Sequence, residues 1–352
     1  MTATAMAATP APRLEISYSD APVASVLAAD DTLAVFGFGA NAPTSDDPRY
    51  LRVDLQPHGP APLEVWRSGA PVRHGRHEGI AWAEDGQLQF GALELDEPAG
   101  EDIGAAAQEA YQRLLAFTQV RGYPELLRIW NYLDAITDGD GDQERYRRFC
   151  SGRAAGLGGF DAERLPAATA IGRLDGQRRL QVYWLAARSP GRPLENPRQI
   201  SAWRYPREYG PQPPSFARAM LPPGTGMPLL LSGTAAIVGH RSLHADSVET
   251  QLDETLTNFD SLLAAAREHR PGLPAGFGPG SRLKVYVRDR ALLDHVADLL
   301  AQRLDPAVPR IILHAEVCRG ELALEIDGSH DLGNSTGMTA GVTMAPSRPP
   351  AA

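Results

Sequence analysis

The chain of 352 residues has only two cysteines, Cys150 and Cys318. These are too few for a disulfide framework, and free thiols are typical of a reducing compartment, so we expect a cytoplasmic protein. No apolar run approaches the roughly 20 residues that a membrane-spanning helix requires. An excess of basic residues is missing too, because the formal net charge is −9. That charge argues against a nucleic-acid partner, since phosphate binding needs a basic surface.

Metal and nucleotide motifs are also missing. The histidine pairs in HGRH (74–77) and HRSLH (240–244) lack a third ligand nearby. The acidic run at 138–142 resembles a calcium loop, but Gln143 stands where that loop requires glycine. No glycine-rich phosphate loop follows a strand. We therefore predict that the protein uses neither a metal nor a cofactor.

What the chain does contain is a repeated order of elements. Hydrophobic residues make up 43% of the sequence, which is enough for sizeable cores. After a β-rich start at 32–97, the order strand, helix, strand, helix, strand, strand occurs twice. The first copy follows a hairpin at Asp85-Gly86 and has helices at 103–120 and 143–157. The second has helices at 246–269 and 290–304 and a closing hairpin, 310–318 with 321–327. This repetition predicts two tandem α+β units.

The domain boundaries follow from composition. We predict a disordered leader at 1–12, an N-terminal unit at 13–190, a C-terminal unit at 191–329 and a disordered tail at 330–352. A Pro-Gly linker near 189–193 separates the units. In the C-terminal unit, Asp246 with Glu249 has capping-box spacing and marks the start of the longest helix.

One acidic residue near the C-terminal end is the first candidate for chemistry. In ELALEI (321–326) the carboxylates alternate with apolar residues, so Glu321 and Glu325 share one face of a strand. If that face borders a pocket, a desolvated Glu325 has a raised pKa and can donate a proton near neutral pH. The alternative is an ordinary solvated strand face.

Other candidates come from residues suited to binding an anion. Arg145, Arg147, Arg148 and Arg153 lie on one predicted helix, which is either a carboxylate-binding face or a basic face balanced by nearby acids. The aromatic segment 201–219 either covers a ligand or packs on the body of the protein. It contributes Tyr205, Tyr209 and Arg218. Arg288 ends a strand, where it reaches a carboxylate or solvent.

The small residues Ser232, Gly233, Thr234 and Ala235 would let a ligand approach the main chain closely.

Several of these stretches, in this order, resemble the chorismatases. They are RYRRFCSGR (145–153), SAWRYPREYGPQPPSFARA (201–219), SGTAAIVGH (232–240), VETQLDETLTN (248–258), KVYVRD (284–289) and CRGELALEIDG (318–328). The resemblance implies two tandem units similar to the YjgF/RidA (chorismate-mutase-like) fold. Each unit would be a mixed β-sheet with two helices packed on one face.

The resemblance also implies an activity, which is cleavage of the enolpyruvyl ether of chorismate to release pyruvate. A cysteine shortly before the catalytic glutamate is typical of the branch that makes 3-hydroxybenzoate, with 4-hydroxybenzoate as a second product. Glu325 would protonate the enolpyruvyl methylene and Cys318 would direct the ring rearrangement. The substrate carboxylates would be positioned by Arg145, Arg153, Tyr205, Tyr209 and Arg218.

One geometric difficulty accompanies this assignment. A simple hairpin turning at Arg319-Gly320 puts Cys318 four residues along from Glu325, roughly 13 Å away at ~3.3 Å per residue. A shared pocket then requires a bulge or a substrate that spans the gap.

Three alternatives stay open. The first is a chorismate hydrolase giving 3,4-dihydroxycyclohexa-1,5-dienoate, against which Cys318 argues. The second is a RidA-like imine deaminase, favoured by Arg310 lying 15 residues before Glu325. The third is a non-catalytic small-ligand binder. The expected oligomeric state is a monomer or a homotrimer.

Overall fold

The computed structural model describes residues 13–99, 102–159 and 161–331. The predicted leader (1–12) and the predicted tail from 332 onward lie outside the described residues. His330 belongs to the last strand and is fully buried. The folded part therefore runs past the boundary predicted at 329.

Helices and strands are numbered here in chain order. The helices are α1 (Val23–Leu27), α2 (Ile103–Arg121), α3 (Arg145–Leu157), α4 (Val248–His269) and α5 (Leu293–Arg303). The strands are β1 (Glu15–Ser19), β2 (Thr32–Phe38), β3 (Tyr50–Val53), β4 (Gln56–Pro57), β5 (Leu63–Arg67), β6 (Arg73–His77), β7 (Ile80–Glu84), β8 (Leu88–Asp96), β9 (Glu125–Asp134), β10 (Ala167–Arg173), β11 (Arg179–Ala187), β12 (Arg192–Leu194), β13 (Ala219–Leu221), β14 (Leu229–Thr234), β15 (Ile237–Val238), β16 (Arg241–Ser242), β17 (Arg282–Val287), β18 (Arg310–His314), β19 (Glu316–Val317) and β20 (Leu324–His330).

Two seven-stranded sheets repeat one topology. The central order is β10-β9-β11-β8 in the first sheet and β18-β17-β20-β14 in the second. In each sheet the first two strands of that order are parallel and the other neighbours are antiparallel. Helices α2 and α3 belong to the first unit, and α4 and α5 to the second. The predicted tandem α+β architecture is confirmed.

The N-terminal residues form an additional layer. A four-stranded sheet, ordered β1-β5-β2-β3, precedes the first repeated unit. Its core-facing side chains, such as Phe36 and Trp66, share one apolar cluster with Tyr183 of the first seven-stranded sheet and Tyr286 of the second. Three sheets therefore enclose a common interior.

The N-terminal and C-terminal halves of the chain exchange edge strands. β19, from the C-terminal half, pairs with β10 at the edge of the first sheet. β4, from the N-terminal layer, pairs with β18 at the edge of the second. The predicted closing hairpin is therefore wrong: β18 runs parallel to β17, and β20 lies on the other side of β17. The chain leaves one sheet after His314 and returns to it at Leu324.

The start of α4 differs from the prediction by one residue. Ser247, not Asp246, is the N-cap, and its side chain accepts a hydrogen bond from the Thr250 main-chain N–H. Ser and Asp are equally good caps, so the sequence pattern could not separate adjacent candidates. In the described part of the chain, no helix is long and apolar enough to cross a bilayer.

A charged side chain lies inside the common core. Lys284 is the only lysine in the sequence and is 2% exposed. Its ammonium group lies 3.1 Å from the Glu64 carboxylate and 3.9 Å from that of Asp327. Burial of an ammonium is tolerated only when anions pair with it, so this residue joins the N-terminal layer to the second seven-stranded sheet.

Candidate active site

A cavity of about 170 Å³ opens where the two seven-stranded sheets meet. Its walls come from α3, β10, residues 205–218 of the aromatic segment (201–219), β14 and the turn before β20. The lining residues are Glu144, Tyr146, Arg147, Arg153, Ala168, Thr169, Ala170, Tyr205, Glu208, Tyr209, Pro214, Phe216, Arg218, Gly233, Ala235, Ile237, Cys318, Arg319, Gly320, Glu321 and Glu325. Both repeated units are needed to form it.

The floor of the cavity carries a buried acid. Glu325 projects from β20 and is 6% exposed. Burial, aided by the Asp327 carboxylate, raises its pKa to about 8, against the opposing effect of Arg128, Arg218 and Arg319. The rise comes from lost hydration and charge, with no hydrogen bond among its causes. Glu325 is therefore largely protonated at neutral pH and faces the cavity.

Gly233, in the small-residue stretch 232–235, lies directly against the Glu325 carboxyl group. A Cβ added at Gly233 would overlap the Glu325 carboxyl oxygen, so glycine at this position leaves the space that the carboxyl group occupies. Gly233 and Ala235 line the cavity, whereas Ser232 and Thr234 do not. The Ser232 hydroxyl donates to the Ala217 carbonyl and accepts from the Ala168 N–H. The Thr234 hydroxyl donates to the Ser232 carbonyl. Both hydroxyl groups are thus used within the protein, and the substrate contacts predicted for Ser232 and Thr234 gain no support from the lining of the cavity.

Cys318 reaches the same cavity as Glu325, which removes the geometric difficulty of a simple hairpin. The turn that brings it there is held by Arg288, whose guanidinium donates to the carbonyls of Val317, Arg319 and Leu322. Arg288 does not line the cavity, so its placement gives the predicted substrate contact no support. Burial and Glu325 raise the pKa of the Cys318 thiol well above its usual range, which outweighs neighbouring Arg319. The thiol is therefore neutral.

Arg153 is a buried cation with unused donors. It projects from α3, is 3% exposed, and its Nε and Nη2 atoms have no hydrogen-bond partner among the described residues. Its guanidinium lies 5.0 Å from the Tyr111 ring centre. Burying a guanidinium whose N–H groups have no acceptor costs free energy unless an anion pairs with it. Arg153 is thus the cavity's clearest site for a carboxylate.

Arg145 occupies a different position, although it lies on the same helix. Its guanidinium forms a two-pronged pair with the Glu97 carboxylate and donates 2.9 Å to the Asp134 carbonyl. It does not line the cavity. Its placement gives no support to the prediction that Arg145 positions substrate, because its donors are used within the protein, where they fix the start of α3 against β9.

The aromatic segment forms one wall and part of the rim. Arg218 donates 2.7 Å to the Tyr205 hydroxyl, and its Nε is buried with no partner in residues 13–99, 102–159 and 161–331. The Tyr209 ring lies 4.0 Å below the Arg319 guanidinium, and its hydroxyl is 3.2 Å from His240 Nδ1. Tyr205, Tyr209 and Arg218 all line the cavity, as the ligand-covering interpretation expects.

Sequence reasoning missed several lining residues. Thr169 and Tyr146 gave no signal, because a threonine in a strand and a tyrosine in a helix are ordinary core residues. Arg147 and Arg319 were noticed only as neighbours of Arg153 and Cys318. Their roles depend on the chain crossing between sheets, which local patterns do not encode. Among the described residues, no group of three or more His, Cys, Asp or Glu side chains is placed to hold a metal.

The arrangement suits acid-catalysed cleavage of an anionic substrate. A protonated carboxyl group on the floor can donate a proton. Unpaired guanidinium donors on opposite walls can bind carboxylates in a defined orientation.

Comparisons with known proteins agree with this chemistry. Residues 64–186 match the family model described as chorismatase FkbO/Hyg5-like, N-terminal. A chorismatase from Streptomyces rapamycinicus is 38% identical over 274 residues, which are 75% of this chain and 81% of that protein. A 3-hydroxybenzoate synthase from Streptomyces hygroscopicus is 34% identical over 276 residues, 75% of this chain and 80% of that protein.

A solved structure is similar over nearly the whole fold. A crystal structure of a chorismatase superposes with a TM-score of 0.81 at 33% sequence identity. The match covers 92% of this chain and 100% of that one.

Proposed function

The chain belongs to the chorismatase family, and we propose that it cleaves the enolpyruvyl ether of chorismate to give pyruvate and 3-hydroxybenzoate. The observation that carries this proposal is the buried Glu325 carboxyl group in a cavity that also holds arginine donors without a partner among the described residues. Chorismate combines an enol ether, which needs a proton on carbon, with two carboxylates, which need cations. The site offers both.

In the proposed first step, Glu325 donates its proton to the methylene carbon of the enolpyruvyl group. The resulting oxocarbenium-like centre weakens the ether bond to the ring. The oxygen of the neighbouring ring hydroxyl then attacks the ring carbon and closes an epoxide as that bond breaks. The ether oxygen leaves as the ketone oxygen of pyruvate, and the hydroxyl proton returns to the Glu325 carboxylate. Burial serves this step because it keeps the carboxyl group protonated until substrate arrives. Arg153 and Arg218 would hold the substrate carboxylates, with Tyr205 and Tyr209 closing over the ligand.

The fate of the ring decides between two chorismatase products. Forming 3-hydroxybenzoate from chorismate consumes no water, whereas forming 3,4-dihydroxycyclohexa-1,5-dienoate consumes one molecule. Cys318 supports the first outcome, because its neutral, half-buried thiol lies in the cavity with Glu325. There it would direct rearrangement of an epoxide-like ring intermediate. The same intermediate allows 4-hydroxybenzoate as a second product.

Incubating the purified protein with chorismate tests the proposal. We expect stoichiometric pyruvate and 3-hydroxybenzoate, identified by mass and ultraviolet spectrum. Absence of turnover would overturn it. Protection against thermal unfolding by chorismate without turnover would instead indicate a binding protein, and a product heavier by one water would indicate the hydrolase.

The imine deaminase alternative has less support. It depended on Arg310 acting together with Glu325. Arg310 lies on β18 but does not line the cavity that contains Glu325; it borders a separate depression with His58 and Ile312. Release of ammonia from an imino acid would support that activity.

Of the two expected oligomeric states we propose the monomer, because the three sheets of one chain already cover one another's inner faces. Light scattering coupled to size exclusion would distinguish it from the homotrimer. A cytoplasmic location stays a prediction.

A further inference from the structure

A second carboxylate lies beneath Glu325 and has no part in the proposed chemistry. Asp327 is two residues further along β20, so both side chains project from the same face. It is fully buried, and its Oδ2 atom accepts hydrogen bonds from four donors. These are Thr169 Oγ1 at 2.8 Å, Trp130 Nε1 at 3.0 Å, Tyr286 Oη at 3.1 Å and Arg128 Nη2 at 3.2 Å.

Thr169 connects this buried carboxylate to the floor of the cavity. Its hydroxyl donates to Asp327 and accepts from Arg128 Nη2 at 2.5 Å and from the Gly233 N–H at 3.0 Å. A hydroxyl has a single hydrogen to donate, and here Asp327 takes it. Thr169 therefore cannot donate to substrate, although it lines the cavity. What it does is fix the Gly233 main chain, on which the Glu325 carboxyl group rests.

The charges below the cavity balance without Glu325. Asp327 and Glu64 carry two negative charges, and Arg128 and Lys284 carry two positive charges. All four side chains are buried. A further negative charge on Glu325 would be uncompensated at close range by this cluster, which disfavours ionisation of the carboxyl group.

Other groups also face Glu325 and contribute to its environment. They are Arg218 and Arg319 on the walls, Tyr146 on α3 and Cys318 on the turn, with Arg153 and Glu321 across the cavity. In the proposed complex, the wall arginines would be neutralised in part by the substrate carboxylates. The electrostatic effect of the balanced cluster on Glu325 would then be the same with and without bound substrate.

We propose that Asp327 and Thr169 are positioning residues, which hold the Gly233 main chain against the Glu325 carboxyl group and keep that group protonated for catalysis. This inference rests on the proposed function, since it assigns Glu325 the role of proton donor. Neither residue touches the reacting atoms, so each acts through Glu325.

Replacing the Thr169 hydroxyl is the first test. Thr169→Val removes the link while nearly keeping the shape, and we expect kcat with chorismate to fall about tenfold at little change in KM. Thr169→Ser restores the hydroxyl and is expected to recover most of the lost kcat. A rise in KM at constant kcat, or no effect of Thr169→Val, would overturn the proposal.

Removing the Asp327 charge is the second test. Asp327→Asn leaves the cluster with a net positive charge, which favours the ionised form of Glu325. The alkaline limb of the kcat profile should therefore move to lower pH, by about one unit. An unmoved limb in a folded Asp327→Asn protein would contradict the role proposed for Asp327. If Asp327→Asn does not fold, Thr169→Val decides alone.

A measurement without substrate separates this inference from the proposed function. The infrared band of the protonated Glu325 carboxyl group can be assigned by difference against Glu325→Gln and followed with pH. We expect the band to disappear at lower pH in Asp327→Asn than in the parent protein. That shift without any chorismate turnover would support the roles proposed for Asp327 and Thr169 and reject the proposed function. An unshifted band together with normal chorismate turnover would reject the roles proposed for Asp327 and Thr169 and support the proposed function.

Discussion

At the scale of single residues, Glu325 combines a role in catalysis with a cost in stability. A glutamate in an unfolded chain has a pKa of about 4.3, whereas burial raises that of Glu325 to about 8 in the folded protein. As pH rises between these values, the unfolded state releases its proton first, so this residue lowers stability progressively across that window. Its activity as an acid is lost as pH rises through about 8.

Glu325→Gln tests both consequences. The amide keeps the shape but has no proton to give, so kcat should fall by a factor on the order of 10²–10⁴. The variant should also unfold at a higher temperature than the parent protein, with a difference that grows from pH 5 to pH 8. Chorismate turnover and thermal unfolding across pH check the two expectations. A variant as active as the parent would leave the mechanism without its proton source.

The two arginines of α3 give a matched pair of substitutions. Arg153→Met removes a buried cation whose Nε and Nη2 donors have no partner in the described part of the chain, so KM for chorismate should rise by about tenfold or more while stability is kept. Arg145→Met breaks the pair with Glu97, so stability should fall with little change in KM. Steady-state kinetics and urea unfolding of both variants would decide, and the reverse pattern would exchange their roles.

At the scale of elements, the position of Arg153 depends on how closely α3 approaches α2. A Cβ added at Gly152 would overlap the carbonyl oxygen of Gly104 on α2. Gly152→Ala should therefore force the helices apart and lower the free energy of unfolding by about 1–3 kcal/mol. Because α3 carries one wall of the cavity, KM should rise as well.

Ser151→Ala is the control for this substitution. Ser151 is half-buried and donates only to the Arg147 carbonyl on its own helix, so its loss should change the free energy of unfolding by no more than about 0.5 kcal/mol. Urea unfolding compares the two variants. Equal effects would show that close helix packing is not what the glycine provides.

The elements also show where sequence reasoning ends. Helical periodicity located α2 to within one residue at its C-terminal end, because an apolar face is a local pattern. It could not place the two-residue β19, whose pairing with β10 is decided by a partner about 145 residues away in the chain. The predicted hairpin failed for the same reason. Charge spacing likewise could not separate Arg145 from Arg153, since Glu97 lies 48 residues before Arg145.

For the site, the resemblance to the family identified Glu325 and Cys318 as candidates, and alternation placed Glu325 on the correct strand face. Thr169 and Asp327 were missed because their significance is their contact with each other, 158 residues apart. A buried threonine and a strand aspartate carry no sequence signal of that kind.

At the scale of the whole molecule, the exchanged strands and the shared core should make unfolding cooperative. Four of the five tryptophans, at positions 66, 82, 130 and 184, lie in the N-terminal layer or the first repeated unit, whereas the longest helix, α4, lies in the second repeated unit. Urea transitions followed by tryptophan fluorescence and by far-ultraviolet circular dichroism should coincide. Two separated transitions would mean that each half is stable alone.

Lys284, the only lysine in the sequence, can report when the interior of the protein becomes exposed. With one side-chain amine in the sequence, enclosed between the N-terminal layer and the second seven-stranded sheet, an acylating reagent can modify that amine only after the layers separate. The rate of labelling at this single position, read by mass spectrometry of a peptide, would time the spontaneous opening of the native protein. Chorismate bound between the two repeated units should hold them together and so lower the rate of labelling.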